Sequence, residues 1–376
     1  MEFVKVKRWG DIAASRLGYG CMRFPTVDGK IIREPAAAMI DAAIKGGVNY
    51  FDTAYIYLNK DSEAFLGEVL PKYPRESYYI ATKLPIWLAN QEDDVITMFE
   101  EQLERLRVDV IDFYMLHALN SVRWSSAKKL KAMEQLSEEK KKGRIKLLGF
   151  SYHGDLETFK EVVNEFDWDF VQIQINYADY DMIDAKAYFD ILAEKEIPCI
   201  VMEPVRGGFL AEPPPKVREL MESVDNKLSP AAWALRWCMD LKNTPVILSG
   251  MGQMEYVTEN LETFKEEAKL SSVEKEMFAN AVEVLKSVKS VPCTACNYCM
   301  DCPYGVDIPG VFSIYNIQQL FGNNFRASAD YKDFLELGKA VDKCISCGIC
   351  TPLCPQGIDI PEKLKELHEF LLKVYP

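Results

Sequence analysis

Eight short apolar runs rich in β-branched and aromatic residues recur between residues 16 and 250. They are RLGYGCM (16–22), NYFDTA (49–54), YYIATKL (78–84), VIDFYMLH (110–117), IKLLGFS (145–151), FVQIQIN (170–176), PCIVMEP (198–204) and TPVILSG (244–250). Amphipathic stretches such as AAAMIDAAIKGG and VITMFEEQLERL separate them. Nearly continuous apolar runs suit strands buried on both faces of a parallel sheet. Eight strand–helix units in roughly 250 residues is the arithmetic of a closed (β/α)8 TIM barrel, an α/β fold. An open doubly wound sheet is the alternative, but no G-x-G-x-x-G follows the first run to support it. The leading FVKVKRWGDIAAS reads as a hairpin ahead of the barrel.

After residue 270 the strand pattern stops, and SSVEKEMFANAVEVLKSV and PGVFSIYNIQQLFG read as helices. A boundary near residue 288 is expected, with the barrel over 1–288 and a mainly helical domain over 289–376. Of the chain's 11 cysteines, all but Cys21, Cys199 and Cys238 lie in this tail. Those three fall in predicted strands or a helix and read as buried core thiols.

Cys293, Cys296, Cys299 and Cys302 precede Pro303, and Cys344, Cys347, Cys350 and Cys354 precede Pro355. The second run is C-x2-C-x2-C-x3-C-P, the bacterial ferredoxin spacing; the first is one residue shorter before its last cysteine. Thiolates three apart on a tight turn hold three corners of a cubane, while the proline-flanked fourth reaches the other cluster. By that rule Cys293, Cys296, Cys299 and Cys354 hold one [4Fe–4S] cluster, and Cys344, Cys347, Cys350 and Cys302 hold the second. Two structural zinc sites are the alternative, but zinc needs only four ligands and no particular proline. The helical stretch between the runs is too long for a compact β-rich ferredoxin. It resembles the α-helical ferredoxin domains appended to many reductases.

Composition narrows the partners. A net charge of −13 argues against nucleic acid, which needs a basic face. The one basic run, KKKGR at 140–144, reads as a solvated helix C-terminus. No signal-peptide core and no membrane-length apolar stretch is seen, so a cytoplasmic location with no membrane partner is expected. Cysteine in such a chain points to metal or redox work.

Active sites of such barrels sit where strands end at the C-terminal face. The second run offers Asp52 and Tyr57, the third Lys83 and the fourth His117. A lysine beside a tyrosine and a carboxylate lowers a phenol's pKa towards working pH, and a histidine can hydrogen-bond a carbonyl oxygen. Trp87 and Trp124 could wall the pocket or simply pack. His153 either lines the pocket or sits in a surface turn, and His368 reads as a helix-surface or packing residue.

At this point the sequence resembles the aldo/keto reductase family. LGYGCMRFP, NYFDTAYIY with SEAFLGEVL, IATKL, DFYMLH, GFSYH and VILSGMG…EN match its strand-end motifs in order over roughly residues 3–265. With the two cysteine motifs the chain is similar to the branch that carries 4Fe–4S ferredoxin domains. The resemblance implies a tetrad of Asp52, Tyr57, Lys83 and His117. Tyr57 would donate the proton, Lys83 held by Asp52 would make it acidic, and His117 would orient the substrate. It implies cofactor contacts from Asp52, Ser151, Gln172, Ser249, Gly250, Gln253 and Asn260.

Three departures stand out. Tyr152 replaces the asparagine that usually holds the nicotinamide carboxamide, and Met202 and Glu203 replace the aromatic stretch that stacks on that ring. Gly250 and Tyr256 fall where many members place the Lys and Arg that grip a 2′-phosphate, so NAD(H) is expected over NADP(H).

The resulting expectation is an iron–sulfur oxidoreductase interconverting a carbonyl and an alcohol in the barrel. Two clusters would relay electrons to or from a ferredoxin- or flavodoxin-type partner. Hydride moves as an electron pair and clusters pass single electrons, so a nicotinamide or a flavin must convert between them. The alternatives are an ordinary NAD(H)-dependent reductase with structural or oxygen-sensing clusters, and a non-catalytic electron-transfer subunit.

Overall fold

The computed structural model describes residues 1–183, 185–266, 269–322 and 324–373. Its contacts divide into two compact units: residues 1–204 with 234–269, and residues 205–233 with 270–376. The expected boundary near 288 falls inside the second of these.

The first unit is built on eight strands: β1 (Leu17–Gly20), β2 (Tyr50–Asp52), β3 (Tyr79–Leu84), β4 (Ile111–Leu119), β5 (Ile145–Tyr152), β6 (Phe170–Gln174), β7 (Cys199–Met202) and β8 (Val246–Ser249). All pair in parallel, and the β8–β1 pair closes the barrel with Leu248 opposite Gly18. Each strand falls within, or within two residues of, a run read from the sequence. These strands are buried because helices cover the outside while side chains fill the inside. Tyr50, Ala81, Phe113, Leu147, Phe170, Ile200 and Val246 share one interior cluster. Closure needs a glycine at 149, where a Cβ would come 2.5 Å from the Phe170 carbonyl oxygen.

The N-terminal hairpin pairs Phe3–Lys5 with Ala13–Ser15 antiparallel. Its turn carries Trp9, which joins the interior cluster, meets Phe113 edge-on at 5.0 Å and donates its indole N–H to Asp169 O at 3.0 Å. The hairpin therefore plugs one end of the barrel, leaving chemistry to the other. The basic run is a helix end, with Lys141 on Glu138 and Arg144 on Glu100 and Glu139.

The second unit has its own apolar core of Val306, Ile308, Phe312, Tyr331, Leu364 and Leu367 among others. Each cysteine run feeds a helix through the same G-[VI]-D-I-P tail. Asp307 caps Ile308–Phe321 by accepting from Gly310 N at 3.0 Å. Asp359 stands likewise before Ile360–Lys373, accepting from Lys363 N on its carbonyl at 2.9 Å. The proline after each aspartate's isoleucine sits in the first turn, where a missing N–H costs nothing. His368 packs in this unit against Tyr331, 2.5 Å from its hydroxyl. The segment 205–233, which follows β7, belongs here too. Gly207 lies so close to Thr294, between two run cysteines, that a Cβ would be 2.4 Å from its carbonyl oxygen.

Candidate functional site

At the open end of the barrel the strand termini bring four polar side chains together. Asp52 ends β2 and Lys83 lies near the end of β3, both almost fully buried. The lysine ammonium donates to the Asp52 carboxylate and, at 2.6 Å, to Thr53 O. The same ammonium stands 4.8 Å from the ring centroid of Tyr57, which the turn after β2 presents. His117 in β4 meets the Tyr57 ring nearly perpendicularly at 5.9 Å. Buried ions survive only when paired, and Asp52–Lys83 is such a pair. Burial nevertheless pushes the Asp52 carboxyl above its ordinary value, against the pull of Lys83. Burial and then the charges of Lys83, Arg123 and His153 hold His117 well below its ordinary pKa. Its imidazole is therefore neutral, suited to hydrogen-bonding an oxygen rather than delivering a proton by titration.

Around this group lie the expected cofactor residues. Gln172 of β6 is buried beside Asp52, and its side-chain oxygen has no hydrogen-bond donor among the described residues. A carboxamide N–H would satisfy that acceptor. Ser151 ends up beside His117, its hydroxyl accepting from Ala118 N at 2.7 Å. Ser249 of β8 accepts from Asn260 at 2.8 Å, and Gln253 stands at the N-cap of the helix Met254–Thr263. Gly250 borders Arg23: a Cβ there would lie 2.6 Å from the arginine's Cγ. Tyr152 instead turns to the outer layer. It donates to Asp155 O at 2.6 Å and packs on Phe159 at 4.9 Å.

In the second unit the two cysteine runs fold alike. Ala295 and Ser346, at matching places, both have left-handed backbones and donate N–H to the sulfurs of Cys293 and Cys344 at 3.4 Å. Burial raises the Cys299 thiol to about 12, and the charges it feels next are Cys296, Cys293 and Cys354. Burial raises Cys350 too, and its neighbours are Cys344, Cys302 and Cys347. Each trio thus stands near the last cysteine of the other run. Among the described residues no three His, Cys, Asp or Glu side chains converge on one ion. Two runs of four cysteines, each ending at a proline, suit a cage of several irons better than a single zinc.

The sequence pattern of the aldo/keto reductase family matches residues 16–280. The chain belongs to the aldo/keto reductase family. A 4Fe–4S dicluster domain matches residues 292–358. L-galactose dehydrogenase of Arabidopsis thaliana is 25% identical over 304 residues, covering 74% of this chain and 93% of its own. The NADH-specific methylglyoxal reductase of Escherichia coli is 28% identical over 213 residues, 50% of this chain and 60% of its own. Among solved structures, an aldo-keto reductase from Klebsiella pneumoniae in complex with NADPH superposes with a TM-score of 0.61 at 19% identity. It covers 74% of this chain and 95% of its own. As an aldo/keto reductase the protein is an oxidoreductase, and its C-terminal region holds a domain of the 4Fe–4S dicluster type.

This aldo/keto reductase separates its two pocket tryptophans. Trp87 lies 5.2 Å from His117, whereas Trp124 is buried away from it, donating to Glu161 at 3.2 Å and packing near Trp168. The residue before it, Arg123, takes the inward place that the sequence reading did not assign. Its guanidinium stacks on Trp87 at 4.2 Å and donates to Ala118 O at 2.8 Å. His153 is partly buried and acts on His117, so it belongs to the same group.

Proposed function

We propose that the barrel interconverts a carbonyl and an alcohol, with the convergence of Tyr57, Lys83, Asp52 and His117 as the observation that carries the reading. Tyr57 gives its proton to the carbonyl oxygen as that oxygen gains charge. Lys83, fixed by Asp52 and Thr53 O, places a positive charge under the phenol ring and favours the phenolate left behind. Neutral His117 donates to the same oxygen and sets the face presented for reaction. Asp52, Ser151, Gln172, Ser249, Gly250, Gln253 and Asn260 line the cofactor side, and a nicotinamide bound there supplies hydride chemistry. NAD(H) suits this lining better than NADP(H), since Glu255 and Glu259 stand on the helix beside the expected ribose.

Cys293, Cys296, Cys299 and Cys354 hold one [4Fe–4S] cluster in this reading, and Cys344, Cys347, Cys350 and Cys302 hold the other. The clusters supply single-electron chemistry, and a ferredoxin- or flavodoxin-type protein is the external partner. Cys347 is exposed, and its neighbours Ile345 and Ile349 present apolar surface beside it, as a transient electron-transfer contact uses.

Anaerobic mixing of the reconstituted protein with NADH tests the whole reading. Bleaching of the cluster absorbance supports electron exchange between the two units. A cluster spectrum untouched by NADH, alongside ordinary carbonyl turnover, supports a self-contained reductase with structural clusters instead.

A further inference from the structure

Directly behind Tyr57, three residues in a row have left-handed backbones: Leu58 (φ 51°), Asn59 (φ 55°) and Lys60 (φ 69°). None is a glycine. A Cβ makes this conformation costly, and it is normally met one residue at a time. Such strain persists only where the surroundings fix it, and it gathers at functional sites. Here the strained turn joins β2 to the helix Asp61–Val69 and presents Tyr57 to the tetrad.

Two adjacent buried residues at the start of that helix, Asp61 and Ser62, fix the turn. The Asp61 carboxylate accepts from Ile31 N at 2.9 Å and receives the Arg33 guanidinium on both oxygens, at 2.7 and 2.8 Å. Ile31 belongs to the short hairpin after β1, in which Thr26–Val27 pairs with Lys30–Ile31. Gly29 of that hairpin also lies against the turn: a Cβ there would be 3.5 Å from the Asn59 side-chain nitrogen. Ser62 donates its backbone N–H to Tyr57 O at 3.3 Å and its hydroxyl to Cys21 O at 2.7 Å. With that hydrogen used, the Thr53 hydroxyl is the donor to the Ser62 oxygen, at 2.8 Å. The Thr53 carbonyl in turn anchors the Lys83 ammonium. The tyrosine and the ammonium are thus held through one pair of buried hydroxyls.

We propose, resting on the proton-donor reading of Tyr57, that Asp61 and Ser62 are positioning residues that hold the strained turn and keep the Tyr57 ring against the Lys83 ammonium. A bidentate guanidinium–carboxylate pair fixes direction as well as distance, which a turn under strain requires. Released, the turn relaxes towards ordinary backbone and carries the phenol away from the ammonium. The attraction that favours the phenolate weakens with that distance.

The test follows Tyr57 itself, because either residue could also serve stability. The full cluster-loaded chain is labelled with fluorotyrosine, and the fluorine resonance of Tyr57 is identified by its loss in Tyr57→Phe and titrated against pH. Lys83, with its partner Asp52, and His117 face that ring and are left unaltered. Ser62→Ala and Arg33→Gln should each raise the pH at which Tyr57 ionises by about one pH unit, and Arg33→Lys should recover part of the loss. Glu68→Gln removes the other carboxylate on Arg33, which accepts from its Nε at 2.9 Å, and should leave the Tyr57 titration unmoved. In the reduction of nitrobenzaldehyde by NADH, Ser62→Ala and Arg33→Gln should lose about tenfold or more in kcat, with KM for NADH within about twofold. A Tyr57 titration unchanged in both variants would overturn the inference, even if their urea midpoints fall. So would an equal shift in Glu68→Gln. A shifted titration with turnover unchanged in the same variants and in Tyr57→Phe would sink the proton-donor reading alone and leave the clamp standing.

Discussion

The thiol of Cys354 stands among the charges that Cys299 feels, although the whole helical segment of the second unit separates the two in sequence. Cys302 and Cys350 show the reciprocal relation. Crossed ligation of the proposed kind would make each cluster depend on both runs. Cys354→Ser is therefore expected to damage the cluster of Cys293, Cys296 and Cys299, leaving the one beside it. Iron should fall from about eight towards about four per chain. Iron analysis and electron paramagnetic resonance of the reduced variant decide it; loss of the signal belonging to Cys344, Cys347 and Cys350 would mean the runs ligate independently.

Much of this architecture is legible in the sequence because it is periodic. Strands buried on both faces write themselves as unbroken apolar runs, and all eight were readable on that ground. The repeated cysteine spacing and the Asp-Ile-Pro helix starts were readable because each is a local geometric demand. Arg123 was hidden for a rotational reason. In SVRWSSAKK the bulky Trp124 draws attention, yet one residue is about 100° of helix, and that turn packs the tryptophan near Trp168 and the arginine on Trp87. Arg23 was hidden differently: it lies against Gly250 only because β1 and β8 become neighbours when the barrel closes, which no local pattern records.

Tyr57→Phe removes the hydroxyl that the proposed chemistry uses as its proton donor and leaves the Asp52–Lys83 pair in place. Turnover of a good carbonyl substrate should drop by about 10² or more, the usual worth of a general acid. Nicotinamide affinity should stay within about twofold, because the hydroxyl acts as the carbonyl loses its double bond. Near wild-type turnover would remove Tyr57 from the proton-donor role.

The His153 imidazole, pushed down to about 4 by burial and then by Arg123, links stability to pH. An unfolded histidine binds its proton near pH 6.5. As pH falls from 6.5 towards 4 the unfolded chain takes up a proton that the folded chain refuses, so stability is lost on acidification. His117, which also faces Arg123 and Lys83, is depressed in the same direction and adds to the slope. Partial exposure of His153 limits its own share to about 1 kcal/mol between pH 7 and 5. Urea midpoints at the two pH values should move closer together in His153→Asn. An unchanged difference would show that His153 is not held neutral.

The nicotinamide preference turns on where cations lie around the β8 turn. SGMGQMEYVTEN carries no Lys or Arg and has Glu255 and Glu259, so a 2′-phosphate placed by this helix meets like charge. A phosphate normally gains about 1.5–3 kcal/mol from each charge-assisted hydrogen bond, and losing one is about tenfold in affinity or more. NADH is thus expected to bind at least tenfold more tightly than NADPH. Arg23 packs against both Gly250 and Gly252 of this turn. It reaches this place from β1, on the barrel side of the turn. Cys21, two residues before it, adjoins the tetrad, its thiol feeling Asp52 and Lys83. A dinucleotide stretched from the tetrad to Ser249 and Asn260 would pass Arg23 with its pyrophosphate, which both cofactors share. Arg23→Ala should therefore weaken NADH and NADPH by the same factor in fluorescence titrations, leaving their ratio intact. A loss confined to NADPH would make Arg23 the 2′-phosphate clamp and reverse the expected preference.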